Sequence, residues 1–255
     1  MEMTPGALRT FFHDGEQDMV AVEEPLEIRV EDEPLAVTMR TPGHDEELAL
    51  GFLYGEGLID GPRAAGLTPD LANNTIIVAG PLTRRPSTRR FYTTSSCGVC
   101  GKGAIEEVTV HCERLPSWPG QLLARTLLAD LPNRLVQPGF ARTGGLHATG
   151  LFDADGELLC VREDVGRHNA MDKVIGWALG RGLLPLTEQL LCVSGRLSFE
   201  LVQKAAVAGA PVLVGVGAPT SLAIELARER NLTLCGFARG GQINVYCGEQ
   251  RVKQL

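Results

Sequence analysis

The pair Cys97-Gly98-Val99-Cys100 is the part of this chain best suited to covalent chemistry. Two thiols at that spacing can exchange with each other or share a metal ion. A strand-like run, Arg89 to Thr94, leads in, and a helix-like run, Ala104 to Cys112, leads out with Ile105, Val108 and Cys112 on one face. The pair is thus predicted on a loop at a helix start, where free backbone N–H groups favour a thiolate. Pro81 to Lys102 holds Arg84, Arg85, Arg89, Arg90 and Lys102 and no acidic residue, in a chain of formal net charge −7. That local excess suits a thiolate, a persulfide or a phosphate-bearing ligand. A C-x-x-C serves as half of a zinc site, as a redox dithiol, as a structural thiol pair, or as a sulfur-carrying nucleophile with a resolving partner. Zinc needs two more ligands; His111 and Cys112 are adjacent rather than ligand-spaced, and His44-Asp45-Glu46 offers an H-x-E only within an acidic helix start. The aromatic residue that usually precedes the first cysteine of a thioredoxin-type motif is missing. On this segment alone the four readings stay open.

Four further segments could surround a ligand. Thr143-Gly144-Gly145-Leu146-His147 precedes a strand, as a close backbone approach or as a plain turn with a surface histidine. Arg162 to Lys173 joins a buried strand to an amphipathic helix, the junction at which open α/β sheets bind ligands. Asp164 or Gly166 could cap that helix, but a cap does not call for Arg167 and His168 in its first turn. Ser194-Gly195-Arg196 follows the next strand and is predicted to line the same cleft. In Gly236 to Tyr246 a strand breaks at Arg239-Gly240-Gly241 and resumes. Backbone N–H groups and Arg239 could hold a phosphate or guanine there, with a β-bulge as the plain alternative.

The elements that must position these residues read as α/β. Residues 1–20 are predicted as a loose, flexible leader, and 21–135 as a smaller mixed α+β domain bearing the C-x-x-C loop. Its hairpin is Leu26 to Val30 with Leu35 to Met39, and its helix starts near Thr41-Pro42 and runs to about Tyr54. Residues 136–255 are predicted as a second domain. There a hairpin, Leu146 to Phe152 with Glu157 to Val161, precedes helix Arg167 to Leu179 and strand Leu190 to Val193. Helix Ser198 to Ala208, strand Val212 to Val216, helix Ser221 to Arg230 and strand Leu232 to Phe237 follow. Helices alternating with apolar strands imply a sheet covered on its faces. This order resembles the three-layer α/β/α cytidine-deaminase fold, but Ala170 stands where the glutamate of its H-x-E belongs, and Ser198 to Val202 holds no cysteine. The zinc site of that fold is therefore not expected here.

The 255 residues are 44% hydrophobic and 22% charged, which is ordinary globular composition. The negative charge argues against wholesale nucleic-acid binding. The N-terminus has no basic, then apolar, signal-peptide pattern, and the uncharged run Ala205 to Ile224 is broken by Gly209, Pro211, Gly215, Gly217 and Pro219, so no membrane span is expected. Seven cysteines, an odd number spread along the chain, fit a reducing cytoplasm. Cys160, Cys192, Cys235 and Cys247 read as buried small hydrophobes.

Taken together, the chain resembles the FdhD family of formate dehydrogenase accessory sulfurtransferases. The matching stretches are Glu24-Pro25-Leu26, Met39 to Ala49, Phe91 to Lys102, Thr143 to His147, Arg162 to Lys173, Ser194 to Lys204 and Gly236 to Tyr246. The resemblance implies a protein that takes persulfide sulfur from a cysteine desulfurase. It passes the sulfur to a molybdenum bis(molybdopterin guanine dinucleotide) cofactor, bound as substrate on its way to formate dehydrogenase. It also implies that Cys97 carries the persulfide and Cys100 assists, that no structural metal is needed, and that the protein is a homodimer. The family's cofactor strip falls on Phe237, Ala238, Arg239, Gly240, Gly241 and Gln242, with Arg167, His168, Ser194 and Arg196 as further cleft residues. Ala238 and Gln242 replace the family's usual Leu and second Arg. A cofactor chaperone without catalysis and a deaminase-like zinc hydrolase are the competing readings.

Overall fold

The computed structural model describes residues 6–67, 74–84, 91–92 and 114–253. The predicted first hairpin is present as β3 (Glu24–Val30) and β4 (Glu33–Arg40), turning at Glu31 in the left-handed region. Alternation along β3 puts Leu26, Ile28 and Val30 inward. With β5 (Ala65–Gly66), β6 (Thr75–Val78) and β7 (Phe91–Tyr92) these strands make a sheet of order β5-β6-β3-β4-β7. The helix predicted after β4 starts later than its Thr-Pro signal suggests: α1 covers Asp45–Gly55, and its N-cap is His44 rather than Thr41. Thr41 is instead occupied with the second half of the chain, its backbone N–H donating to the Asp164 carboxylate and its hydroxyl accepting from Val165 N.

Residues 8–21 depart from the loose leader expected there. They form a hairpin, β1 (Leu8–His13) and β2 (Glu16–Ala21), paired from Leu8↔Ala21 to His13↔Glu16. Asp14-Gly15 makes the turn with φ of 48° and 83°, and an Asp-Gly pair is among the strongest short hairpin signals.

The second sheet has order β13-β12-β11-β10-β8-β9. Its strands are β8 (His147–Phe152), β9 (Leu158–Asp164), β10 (Leu190–Val193), β11 (Val212–Gly215), β12 (Thr233–Arg239) and β13 (Gln242–Cys247). β10, β11 and β12 run parallel; β8 and β13 pair antiparallel to their inner neighbours. Helices α4 (Arg167–Leu179), α5 (Phe199–Val207) and α6 (Ser221–Glu229) cover one face, through Val174, Leu201 and Leu226 against Leu191, Leu213 and Leu234. The other face carries α2 (Arg125–Asp130), with Leu128, Leu131 and Leu135 on Phe152, Cys192 and Val214. A short helix α3 (Pro138–Thr143) starts on the Glu163 carboxylate, which accepts from Gly139 N and Phe140 N at 2.8 and 2.7 Å. Residues 114–135 thus pack with the second sheet, across the boundary expected at 135/136.

Two helices join the halves. α1 crosses α4 so closely that a methyl group at Gly51 would overlap the carbonyl oxygen of Asp172, and one at Gly176 that of Glu47. Charged residues seal the seam. Glu47 receives Arg162 Nε and Nη2 at 2.5 and 2.8 Å, and Lys204 Nζ, 2.8 Å from Asp172 Oδ1 in its own half, reaches Glu56 Oε1 at the end of α1 at 3.8 Å. Lys173 Nζ, with its side chain 1% exposed, sits 2.7 Å from the fully buried Asp164 carboxylate and donates to Thr41 O. Breaking such a buried pair by removing one partner typically costs about 3–5 kcal/mol.

Candidate functional site

The parallel strands all end on one side of the second sheet, where β8 begins and β9 ends. The loops after β10 and β11 and the last part of β12 are laced together there: Gly217 N donates to Gly195 O at 3.0 Å, and Phe237 N donates to Gly217 O at 3.2 Å. They form a continuous rim outside the carboxyl ends of the strands, the usual ligand position in open α/β sheets.

Arg167, His147 and Arg196 converge on this rim. Arg167 is the first residue of α4, after the N-cap Gly166. A Cβ on Gly195 would lie 3.4 Å from His147 Nδ1 and 3.9 Å from Arg167 Cδ. Arg167 Nε is buried without a hydrogen-bond partner among the described residues. Burial, then the Arg167 guanidinium, and further Arg196, hold the His147 imidazole below its ordinary pKa, against the opposing pull of Asp164. His147 is therefore neutral at neutral pH, half-buried between two cations. Such a rim can take an anionic ligand and can gain a proton when it does.

The other predicted residues divide. Ser194 lies on the rim, but its hydroxyl accepts from Ala148 N at 2.9 Å and its own N–H donates to Ala148 O, which extends the β8–β10 ladder. His168 is buried, with Nε2 3.1 Å from the hydroxyl of Ser198, the N-cap of α5, and 3.8 Å from Glu200. It ties α4 to α5 beneath the rim. Phe237 has φ of 53° and is 37% exposed at the rim. Such a backbone is uncommon outside glycine and suggests a constraint from function. Ala238 is fully buried against the far face of the sheet, so only its backbone is available to a ligand. Where the sequence suggests a broken strand, the chain reverses: Arg239 pairs with Gln242 across a two-residue turn in which Gly240 and Gly241 have φ of 58° and 75°. The bulge is present too, as a register shift between Gly236 and Arg239. Arg239, Gly240, Gly241 and Gln242 are exposed at this hairpin tip.

Cys97 and Cys100, with His111 and Cys112, lie outside the described residues. The four described cysteines are buried and free, as the sequence suggests. Burial pushes the Cys160 and Cys235 thiols up to about 12, and raises Cys192 and Cys247 as well. A thiol so raised is no nucleophile at neutral pH. Among the described residues no cluster of three or more His, Cys, Asp or Glu is placed to hold a metal ion, and no helix is long and apolar enough to cross a membrane.

Sequence reasoning places a ligand site at the junction Arg162 to Lys173, with Arg167 and His168 as its cleft residues, and much of the rest of that segment is scaffold. Asp164 accepts from Gly166 N and Asn169 Nδ2 at 2.8 and 3.0 Å, and Asn169 Nδ2 also donates to Met39 O at 2.7 Å. The segment sends Arg167 outward and ties Asn169 to Met39 of β4 and Asp164 and Lys173 to Thr41 just after it.

The model of the FdhD/NarQ family matches residues 21–253. A protein of Streptomyces coelicolor named sulfur carrier protein FdhD is 51% identical over 251 residues, covering 92% of this chain and 89% of its own length. A Mycobacterium tuberculosis protein of the same name is 49% identical over 253 residues, covering 92% of each chain. One from Sulfolobus acidocaldarius is 45% identical over 238 residues, again covering 92% of each. A crystal structure from Desulfotalea psychrophila, described as a formate dehydrogenase accessory protein, superposes with a TM-score of 0.74 at 25% identity, covering 96% of this chain and 98% of that one.

Proposed function

This chain belongs to the FdhD/NarQ family, and on that premise we propose that it carries sulfur for formate dehydrogenase. Cys97 accepts persulfide sulfur from a cysteine desulfurase. The acceptor is a molybdenum bis(molybdopterin guanine dinucleotide) cofactor, held as substrate at the rim. The observation that carries the reading is the convergence of Arg167, His147 and Arg196 outside the parallel strand ends, in a chain whose relatives are named sulfur carriers. The buried state of four of the seven cysteines supports it, because it leaves only Cys97, Cys100 and Cys112 for thiol chemistry.

Loading is thiol–persulfide exchange. The Cys97 thiolate attacks the terminal sulfur of the donor persulfide, the donor S–S bond breaks, and the donor leaves as a thiolate. For delivery, Cys100 attacks the inner sulfur of the Cys97 persulfide. A Cys97–Cys100 disulfide forms and the outer sulfur departs as sulfide, so two thiols supply the two electrons. Arg167, Arg196, Arg239 and rim N–H groups hold the cofactor's phosphates, and exposed Phe237 offers a face on which guanine can stack. The element order of residues 147–239 supports a deaminase-like scaffold turned to ligand carriage, with Ala170 in place of a catalytic glutamate. The protein works in the cytoplasm in this reading, as a homodimer.

GDP is the simplest probe of the rim. Loss of a hydrogen bond to a charged group costs about 1.5–3 kcal/mol, roughly tenfold or more in affinity. Calorimetry should therefore show Arg167→Ala and Arg239→Ala each weakening GDP by at least about that factor. Equal affinity in wild type and both variants would remove the rim from the account.

A further inference from the structure

The second sheet has another concave surface, at the end opposite the rim. It is a cleft of ≈ 270 Å³ between α6 and β13, beside the start of β12, where Leu234 pairs with Cys247. Arg114 and Arg228 line it, with Asn231, Gly248, Glu249 and Gln250. Among the described residues no carboxylate lies within ion-pair distance of either guanidinium. Arg228 Nη2 donates to Tyr246 O at 3.3 Å, which steadies one arm of its fork.

A third guanidinium stands behind the wall. Arg251 is 1% exposed and also lacks a carboxylate partner among the described residues. It donates to Thr233 Oγ1 at 3.3 Å and to Pro116 O at 3.1 Å, and Thr233 Oγ1 in turn donates to Gly248 O in the cleft wall. A buried cation without a counter-charge is costly, so its field is available to whatever occupies the cleft. The opposing charges are smaller. Glu249 supplies one negative charge, and the carboxyl end of α6 the equivalent of about half of one. The three arginines leave the site positive by roughly one and a half charges.

We propose that this cleft binds a small phosphate-type oxoanion, free or as the phosphate of a small metabolite. The volume corresponds to about nine waters at ~30 Å³ each, at the lower edge of the usual range for ligand pockets, and suits a small anion. The planar forks of Arg114 and Arg228 suit the tetrahedral oxygens better than a point cation would. Asn231 and Gln250 are already joined, Gln250 Nε2 donating to Asn231 Oδ1 at 3.0 Å, and add polar lining. Cys247 lines the cleft, but burial keeps its thiol protonated, so the site binds rather than reacts.

The test is calorimetric titration of the full chain with inorganic phosphate at constant ionic strength. A saturable component is expected that Arg114→Gln and Arg228→Gln each weaken about tenfold or more and that the rim variant Arg239→Ala leaves in place. Both cleft residues are exposed, and a thermal melt of each variant confirms folding. Absence of saturable binding, or binding unaffected by both cleft substitutions, would overturn the proposal. So would acetate binding as tightly as phosphate, or phosphate binding lost only in Arg239→Ala, which would place the ion at the rim. Phosphate taken up by the rim as well would appear as a second component, lost in Arg239→Ala and untouched by the two cleft substitutions, so failure of the cleft and failure of the rim are read separately.

Discussion

His147 shows how the rim couples charge to protonation. Its pKa in the folded chain lies below the ordinary 6.5, because burial and then Arg167 and Arg196 disfavour the imidazolium. As pH falls through about 6.5, the unfolded chain takes up that proton before the folded chain does, and stability is lost until the folded pKa is reached. His44 is lowered as well, first by burial and then by Arg162. Asp172 works with the opposite sign: burial pushes it up to about 6 despite Lys204, so it costs stability as pH rises from about 4 to 6. Comparing a variant with wild type isolates one group. Urea unfolding between pH 7.5 and pH 5.5 should show His147→Gln losing less stability than wild type. An identical pH dependence would mean that His147 is not held neutral. At this scale the sequence is half transparent. The four apolar-run cysteines are as buried as their neighbours imply, and Arg167 reaches the rim. Asp164, Asn169 and Lys173 add to the polar character that marks this junction as a site, and their true partners, Met39 and Thr41, lie more than 120 positions away. Local pattern cannot separate a polar residue facing a ligand from one paired across the core.

At the scale of elements, the strands and helices of residues 147–239 are legible because apolar runs of four to six residues alternate with amphipathic stretches. α4 spans Arg167–Leu179 as the pattern predicts. The β1–β2 hairpin is missed although Asp14-Gly15 signals it, because its flanking residues are mostly exposed and show no apolar alternation. The α1–α4 crossing is invisible in the sequence, since Gly51 and Gly176 look like helix-weakening glycines and are in fact the contact. Overpacking a core contact usually costs about 1–3 kcal/mol. Here the overlapped atoms are backbone carbonyls, which cannot turn aside as a side chain can. Gly51→Ala should therefore destabilise by at least the upper part of that range in denaturant titration, whereas Gly61→Ala, with open space around it, should change stability little. Equal midpoints for the two variants would show that the helices are not in close register.

On the scale of the whole molecule, the two sheets meet at a seam of polar contacts and the close α1–α4 crossing, so the half built on β3 and β4 and the half bearing the rim are joined through α1 and α4. The motif stretches before residue 50 and those after 160 serve largely to make that seam: Glu47 with Arg162, and Thr41 with Asp164 and Lys173. The family resemblance rests as much on this joint as on the chemistry. The central claim, that the chain is a sulfur carrier acting through Cys97, is tested most directly by intact-mass spectrometry after incubation with a cysteine desulfurase and cysteine, with wild type and Cys97→Ala side by side. The account predicts that wild type gains the mass of one sulfur atom, lost on reduction, and that Cys97→Ala gains none. An adduct of equal occupancy on the variant, or no adduct on folded wild type, would contradict it.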